Sequence, residues 1–196
     1  MRIKRLNTKN FKTSKWSGGT TTELYIYPLE SNYKDLDFKF RISTAKVELE
    51  KSNFTSLKGI SRKLMIIDGG IEIHHKNRYS KKLSKFDIDN FEGDWETSSE
   101  GKCQDFNVMT SKGISSRIFS IELNKDESKE LFIDTNSSHY IIYCISNLVS
   151  FKLMNKAVVL RKGELLVIDE INNLEASFFI QSKNQSNLII VEIKQA

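Results

Sequence analysis

The sequence predicts an all-β protein made of two successive barrel-like units. Three observations predict it. Short stretches alternate apolar and polar residues at period two, turn signals recur between them, and the chain runs twice through a similar order of hairpin and turn. A single proline and frequent short turns suit a sandwich or barrel.

The elements follow in order. "KWSGGTTTELYIYP" (15–28) leads from a Trp and two glycines through three threonines into the strand Leu24–Tyr27. The glycines permit a tight backbone excursion, and threonine is a good strand former. "FKFRIS" (38–43) alternates aromatic or aliphatic with polar residues, and "KLMIIDGGIEIHH" (63–75) reads as strand, Asp-Gly-Gly turn, strand. "RIFSIEL" (117–123), "SHYIIYCIS" (138–146), "LVSFKLM" (148–154), "AVVLRKGELLVID" (157–169), "EASFFIQ" (175–181) and "SNLIIVEIK" (186–194) supply the remaining strands. Helical turns are expected only within 46–57 and 124–132.

The duplication suggests two cupin-like β-barrels, a bicupin, with residues 1–113 as the first unit and 114–196 as the second. After the first hairpin (64–75), Gly93-Asp94 stands where cupin barrels carry a Gly-Asp turn; after the second (139–154), Gly163-Glu164 takes the analogous place. Turn chemistry alone favours glycine beside an acid, so the weight rests on the strand pattern.

Several blocks add a resemblance. "WSGGTTTELYIYP", "FKFRISTAKV", "FTSLKGISRKLMIIDG", "FEGDWE" and "CQDFNVMTSKG", spread over residues 16 to 113, are similar to the HutD/Ves family and come in its order. Beyond residue 113 the likeness is one of strand pattern. Departures are Lys39, where an aromatic is expected before "FRIS", and Trp95, where proline commonly follows Gly-Asp. The resemblance implies a bicupin fold and, through HutD, an accessory or regulatory role in histidine utilisation, with formylglutamate or urocanate as ligand. Ves-type relatives have no settled function, so the resemblance does not decide the pathway, and a role in a stress response is the other expectation.

Bulk properties narrow the function. The 196 residues carry a net charge of +5, but the 30 basic side chains are scattered and offset by 25 acidic ones. Nucleic-acid binding normally needs basic residues clustered on one face; the densest run, "HHKNRYSKKLSK" (74–85), reads as a solvated hairpin. No apolar run reaches the roughly 20 residues that span a bilayer, and the basic N-terminus lacks an apolar secretory core. The expectation is a cytoplasmic protein that uses neither membrane nor nucleic acid.

No metal or other cofactor is expected. Of the three histidines, His74 and His75 are adjacent and point to opposite strand faces, and His139 stands alone. Cys103 and Cys144 lack metal-type spacing, and Asp105 beside Cys103 disfavours a thiolate. No nucleophile elbow or phosphate loop appears.

What remains is a set rich in hydrogen-bond donors. Arg41 and Ser43 share a strand face opposite Phe40 and Ile42; Arg62 opens an apolar strand; Asp105 and Asn107 share a face opposite Phe106 and Val108. With Trp16, Gly18, Gly19, Thr20 and Thr21 from the opening loop, these residues are expected to line one pocket for a small acidic metabolite, because guanidinium grips carboxylate bidentately. The bland reading is a structural network in which Arg41 or Arg62 pairs with Asp94 or Asp105. Phe91, Trp95 and Phe106 read as packing residues. The apolar second barrel is expected to support the first and to offer an oligomer interface, which allows a homodimer. Two further function classes stay open: a metal-independent cupin enzyme, an isomerase or hydrolase with Asp105 or Asp94 as general base, and a module that binds a protein partner.

Overall fold

A computed structural model of the chain describes residues 1–134, 136–153, 156–171 and 176–195. Met154 and Glu175, the ends of two expected strands, lie outside them. The described residues form nineteen strands, beginning with β1 (Arg2–Leu6). There follow β2 (Lys12–Trp16), β3 (Gly19–Tyr27), β4 (Phe40–Val47), β5 (Lys51–Asn53), β6 (Ile60–Gly69), β7 (Ile71–His75), β8 (Tyr79–Leu83), β9 (Ile88–Glu92), β10 (Thr97–Glu100) and β11 (Cys103–Ser111). The rest are β12 (Ile114–Leu123), β13 (Ser128–Ile133), β14 (His139–Cys144), β15 (Leu148–Leu153), β16 (Lys156–Arg161), β17 (Leu165–Asp169), β18 (Ala176–Gln181) and β19 (Ser186–Gln195).

The chain divides into two units, Phe11–Ile114 and a second made of Met1–Asn10 with the residues from Ser115 onward. The first ten residues therefore group with the second unit, where the sequence reading had put them in the first. Pairing explains it: β1 runs antiparallel to β17, Arg2 opposite Asp169 and Leu6 opposite Leu165. Arg2 also grips Asp169 side-on, Nε donating to Oδ1 at 2.9 Å and Nη2 to Oδ2 at 2.8 Å.

Each unit is a pair of antiparallel sheets. The first unit holds a six-stranded sheet, β2-β3-β4-β11-β6-β9, and a four-stranded one, β5-β10-β7-β8. The second holds β1-β17-β14-β19-β12 and β13-β18-β15-β16. Alternation sends one set of side chains from each sheet inward. In the second unit Tyr140, Ile142, Leu166, Ile168, Leu188 and Ile190 of one sheet meet Val149, Phe151, Leu160, Phe178 and Ile180 of the other in a single core. Burying side chains of this size stabilises by roughly 1.5–3 kcal/mol each.

Neither expected helical turn forms. Residues 51–53 make the short strand β5, and the 124–132 stretch turns and then extends as β13. Its turn is closed by Glu127, whose carboxylate accepts from the Asn124 amide at 2.7 Å. From Ser128 onward exposed and half-buried residues alternate at period two.

Register turns the six-stranded sheet of the first unit into a grid. One cross-strand row is Ile26–Arg41–Met109–Arg62–Phe91, and the next is Glu23–Ser43–Asn107–Leu64–Asp89. Then come Thr21–Ala45–Asp105–Ile66 and Gly19–Val47–Cys103–Gly69. Val47, Leu64, Ile66, Phe91 and Cys103 share a core with Ile71, Ile73 and Leu83 of the four-stranded sheet. These rows therefore face the inside of the unit.

Candidate functional site

The grid places polar residues where a core would ordinarily be apolar. Arg41, Ser43, Arg62, Asp105 and Asn107 are all buried on the inward face. Neighbouring strands lie about 4.8 Å apart, so the Arg41 and Arg62 backbones, two strands apart in one row, are separated by roughly 10 Å.

The two arginines are held differently. Arg41 donates from Nε to Glu23 Oε2 at 2.8 Å and from Nη1 to Ser43 Oγ at 3.2 Å, and its guanidinium lies 4.5 Å from the Tyr33 ring centre. Among the described residues Arg62 has no carboxylate in direct contact. Its Nη2 donates to the amide oxygen of Asn107 at 3.2 Å, and Asn107 Nδ2 donates onward to Asp105 Oδ1 at 2.6 Å. The Arg62 guanidinium also touches the rings of Phe54 and Phe91, 5.0 and 5.1 Å from their centres. Its Nε is fully buried and has no hydrogen-bond partner. An orphaned buried donor costs on the order of 1–3 kcal/mol.

Burial sets the electrostatics. It pushes Arg62 down to about 10, against the pull of the nearby Tyr33 and Asp105. Burial likewise raises the Asp105 carboxyl to about 7, against Arg62, the Asn107 hydrogen bond and the Ala45 backbone. Cys103 is driven up to about 12, first by burial and then by the Asp105 charge. It is a small buried apolar side chain, and no nucleophile.

The opening loop does not join this cluster. Thr20 stands opposite Lys46, so it faces away from the row residues; only Thr21, opposite Ala45, points inward. Two neighbours on a strand cannot both enter one cavity. Trp16 and Gly19 close a hairpin opposite Val47, six residues along β4 from Arg41, or on the order of 20 Å. The glycines serve packing here. A Cβ on Gly19 would fall 1.9 Å from the Lys46 carbonyl oxygen, and one on Gly18 would fall 2.1 Å from the Trp16 ring. Asp94 is exposed in a turn, and Glu23 is the acid that pairs with Arg41.

Sequence reasoning missed Glu23, Tyr33 and a second buried group. Parity with Thr21 was the available signal for Glu23, whose place opposite Ser43 continues the register unbroken; the bulge falls after it, before Tyr25, and sets Ile26 opposite Arg41. The second group centres on His75, which lies inside rather than on a solvated hairpin. Its Nε2 is 2.8 Å from Asp89 Oδ2 and its Nδ1 2.8 Å from Thr97 Oγ1; Tyr79 donates to Asp89 Oδ1 at 3.1 Å. Phe91 and Trp95 enclose the ring.

Comparison with known proteins places the chain in a family. The HutD family pattern matches residues 8–188. The chain belongs to the HutD family. Among solved structures it is similar to PA5104 of Pseudomonas aeruginosa PAO1, a conserved protein of unknown function, at 17% identity and a TM-score of 0.84, over 100% of both chains. It is also similar to HutD from Pseudomonas fluorescens SBW25, at 19% identity and a TM-score of 0.77, again over 100% of both. Oxalate decarboxylase of Lactobacillus farciminis aligns with 97% of this HutD-family chain and 85% of its own, at 10% identity and a TM-score of 0.72. These likenesses establish the cupin-like fold. No curated protein matches the sequence.

A related oxalate decarboxylase, from Bacillus subtilis, is described with Mn(II) centres. The residues here do not fit such a centre. Both ring nitrogens of His75 are engaged, and His74 faces the other way, hydrogen-bonded to Ser80. Among the described residues no group of three or more His, Cys, Asp or Glu side chains is placed to hold a metal ion. Nor do they include a helix long and apolar enough to cross a membrane.

Proposed function

We propose that this HutD-family protein binds a small carboxylate inside its first unit and releases it unchanged, in an accessory or regulatory role linked to histidine utilisation. One observation carries the reading. The edge of Arg62 formed by Nε and Nη2 is the edge that Arg2 uses to grip Asp169, yet in Arg62 it is half filled: Nη2 meets a neutral amide oxygen and Nε meets nothing. A carboxylate in that plane would take both donors, in charge-assisted bonds of order 1.5–3 kcal/mol. Ligands of this kind include formylglutamate, urocanate, glutamate and pyroglutamate, and the expected setting is the cytoplasm.

The test is a thermal-shift and calorimetry screen of those four compounds, repeated on Arg62→Ala and Arg41→Ala. Loss of one charge-assisted partner should weaken binding roughly ten- to a hundredfold. Binding that survives Arg62→Ala unchanged would refute the site.

A second reading has its own observation. A carboxyl raised to about 7 beside a buried cation is placed to act as a general base near neutral pH. Asp105 suits that metal-independent enzyme; exposed Asp94 does not. Turnover of any compound in the screen, abolished by Asp105→Asn, would favour it.

A further inference from the structure

The charges around Arg62 can be counted. Arg41 is neutralised by Glu23, 2.8 Å away. Asp89 is met by His75 at 2.8 Å, by the Tyr79 hydroxyl at 3.1 Å and, from the surface, by Lys81 Nζ at 3.8 Å. Among the described residues Arg62 is left with one carboxylate counter-charge, Asp105, relayed through Asn107. On its own strand Asp105 has Cys103 two residues away, a thiol held protonated; from β4 it faces Ala45 and from β6 Ile66, which bring no charge. Arg62 with ionised Asp105 is thus a neutral buried pair. Adding an anion would leave one uncompensated negative charge out of water, a cost of several kcal/mol. If Asp105 gives up its charge, the arriving carboxylate replaces it as the partner of Arg62 and the interior stays neutral.

We propose that the first unit takes up one singly charged carboxylate together with one proton, the proton coming from solvent and landing on Asp105. The inference rests on the carboxylate-binding reading of Arg62 and specifies its ligand class: one carboxylate in the interior, with any second charge excluded from it. No covalent bond changes; the carboxylate and the proton enter together and leave together. A carboxyl already raised to about 7 yields to this exchange readily, so affinity falls as the solution becomes alkaline.

The probes are formate and pyroglutamate, single carboxylates that do not titrate above about pH 5. Calorimetry on the full chain in buffers of different ionisation enthalpy counts the protons. The expected result is uptake approaching one proton per carboxylate at pH 8.5 and well under half at pH 6, with Kd weakening about tenfold per pH unit above about 7. In Asp105→Asn the uptake and the pH dependence should both vanish. If that variant does not fold, the wild-type proton count decides alone. Binding with no proton uptake and a flat pH profile would overturn the exchange while sparing the carboxylate site. Failure of both probes to bind at any pH would overturn the two together.

Discussion

Arg41 and Arg62 occupy the same cross-strand row, with Met109 between them, yet only Arg41 has a carboxylate in contact. The first is a finished ion pair, and the second keeps an open donor edge. That difference separates the structural from the functional part of one polar cluster, and it directs the experiments.

Glu23→Ala should leave Arg41 buried with only Ser43 and the Tyr33 ring as partners. Removing one member of a buried pair costs about 3–5 kcal/mol when burial is complete. Glu23 keeps some solvent access, with its side chain 15% exposed, so a loss of about 2–3 kcal/mol in urea unfolding is the expected outcome. A loss near zero would mean that Arg41 finds another anion.

Asp105 should make stability fall with rising pH. Its folded value lies above the ordinary carboxyl value of 3.8, so between about 4 and about 7 the native state holds more proton than the unfolded chain. Stability is then greatest below that window, declines through it by at most about 1.4 kcal/mol per pH unit, and levels off above it. Denaturant midpoints measured from pH 4 to 9 should show this decline in the wild type and a flatter profile in Asp105→Asn.

Asp89→Asn should act on Tyr79 as well as on His75. The Tyr79 hydroxyl is raised to about 12, by burial first and by the Asp89 charge second. Removing that charge should bring the tyrosinate transition to lower pH in an ultraviolet titration. It should also weaken the fold by about 1–3 kcal/mol, because the buried His75 loses its charged acceptor. An unmoved tyrosinate transition would contradict the contact.

Gly93→Ala should be destabilising by about 1–3 kcal/mol, the usual cost of forced overpacking. A Cβ there would fall 2.6 Å from the Leu57 carbonyl oxygen and 2.8 Å from that of Ile60, both backbone atoms. The same loop hydrogen-bonds Gly93 in both directions, so it cannot retreat without losing those bonds. Leu57 and Ile60 pack with Met109, between the two arginines, so the substitution should also weaken any ligand held by Arg62.

Much of the fold was legible in the sequence because period-two alternation is a local property. The inward and outward sets of β4 and β11 follow from spacing alone, and Arg41, Ser43, Asp105 and Asn107 fall on the inward face as read. What spacing cannot supply is register. Thr20 and Thr21 look equivalent in a run of threonines, but the strand face separates them. Trp16, Gly18 and Gly19 were distinctive for another reason: only glycine lets that hairpin approach the Lys46 carbonyl so closely. His75 read as a surface residue because its neighbours are basic, and its partners Asp89 and Thr97 come from strands 14 and 22 residues away. The place of β1 was illegible for the same cause, since β17 lies more than 150 residues downstream.

That last pairing bears on how the chain is made. The first unit is complete once residue 114 has been synthesised, whereas the second must wait for β17 to reach β1, more than 150 residues upstream of it. Bringing Arg2 to Asp169 closes a loop of 167 residues. Loop entropy grows only by about 0.6 kcal/mol per doubling of length, and a first unit already folded within that loop shortens the free chain left to close. The order of synthesis thus has the half that carries Arg62 fold early, and leaves β1 to be captured as the last strands arrive.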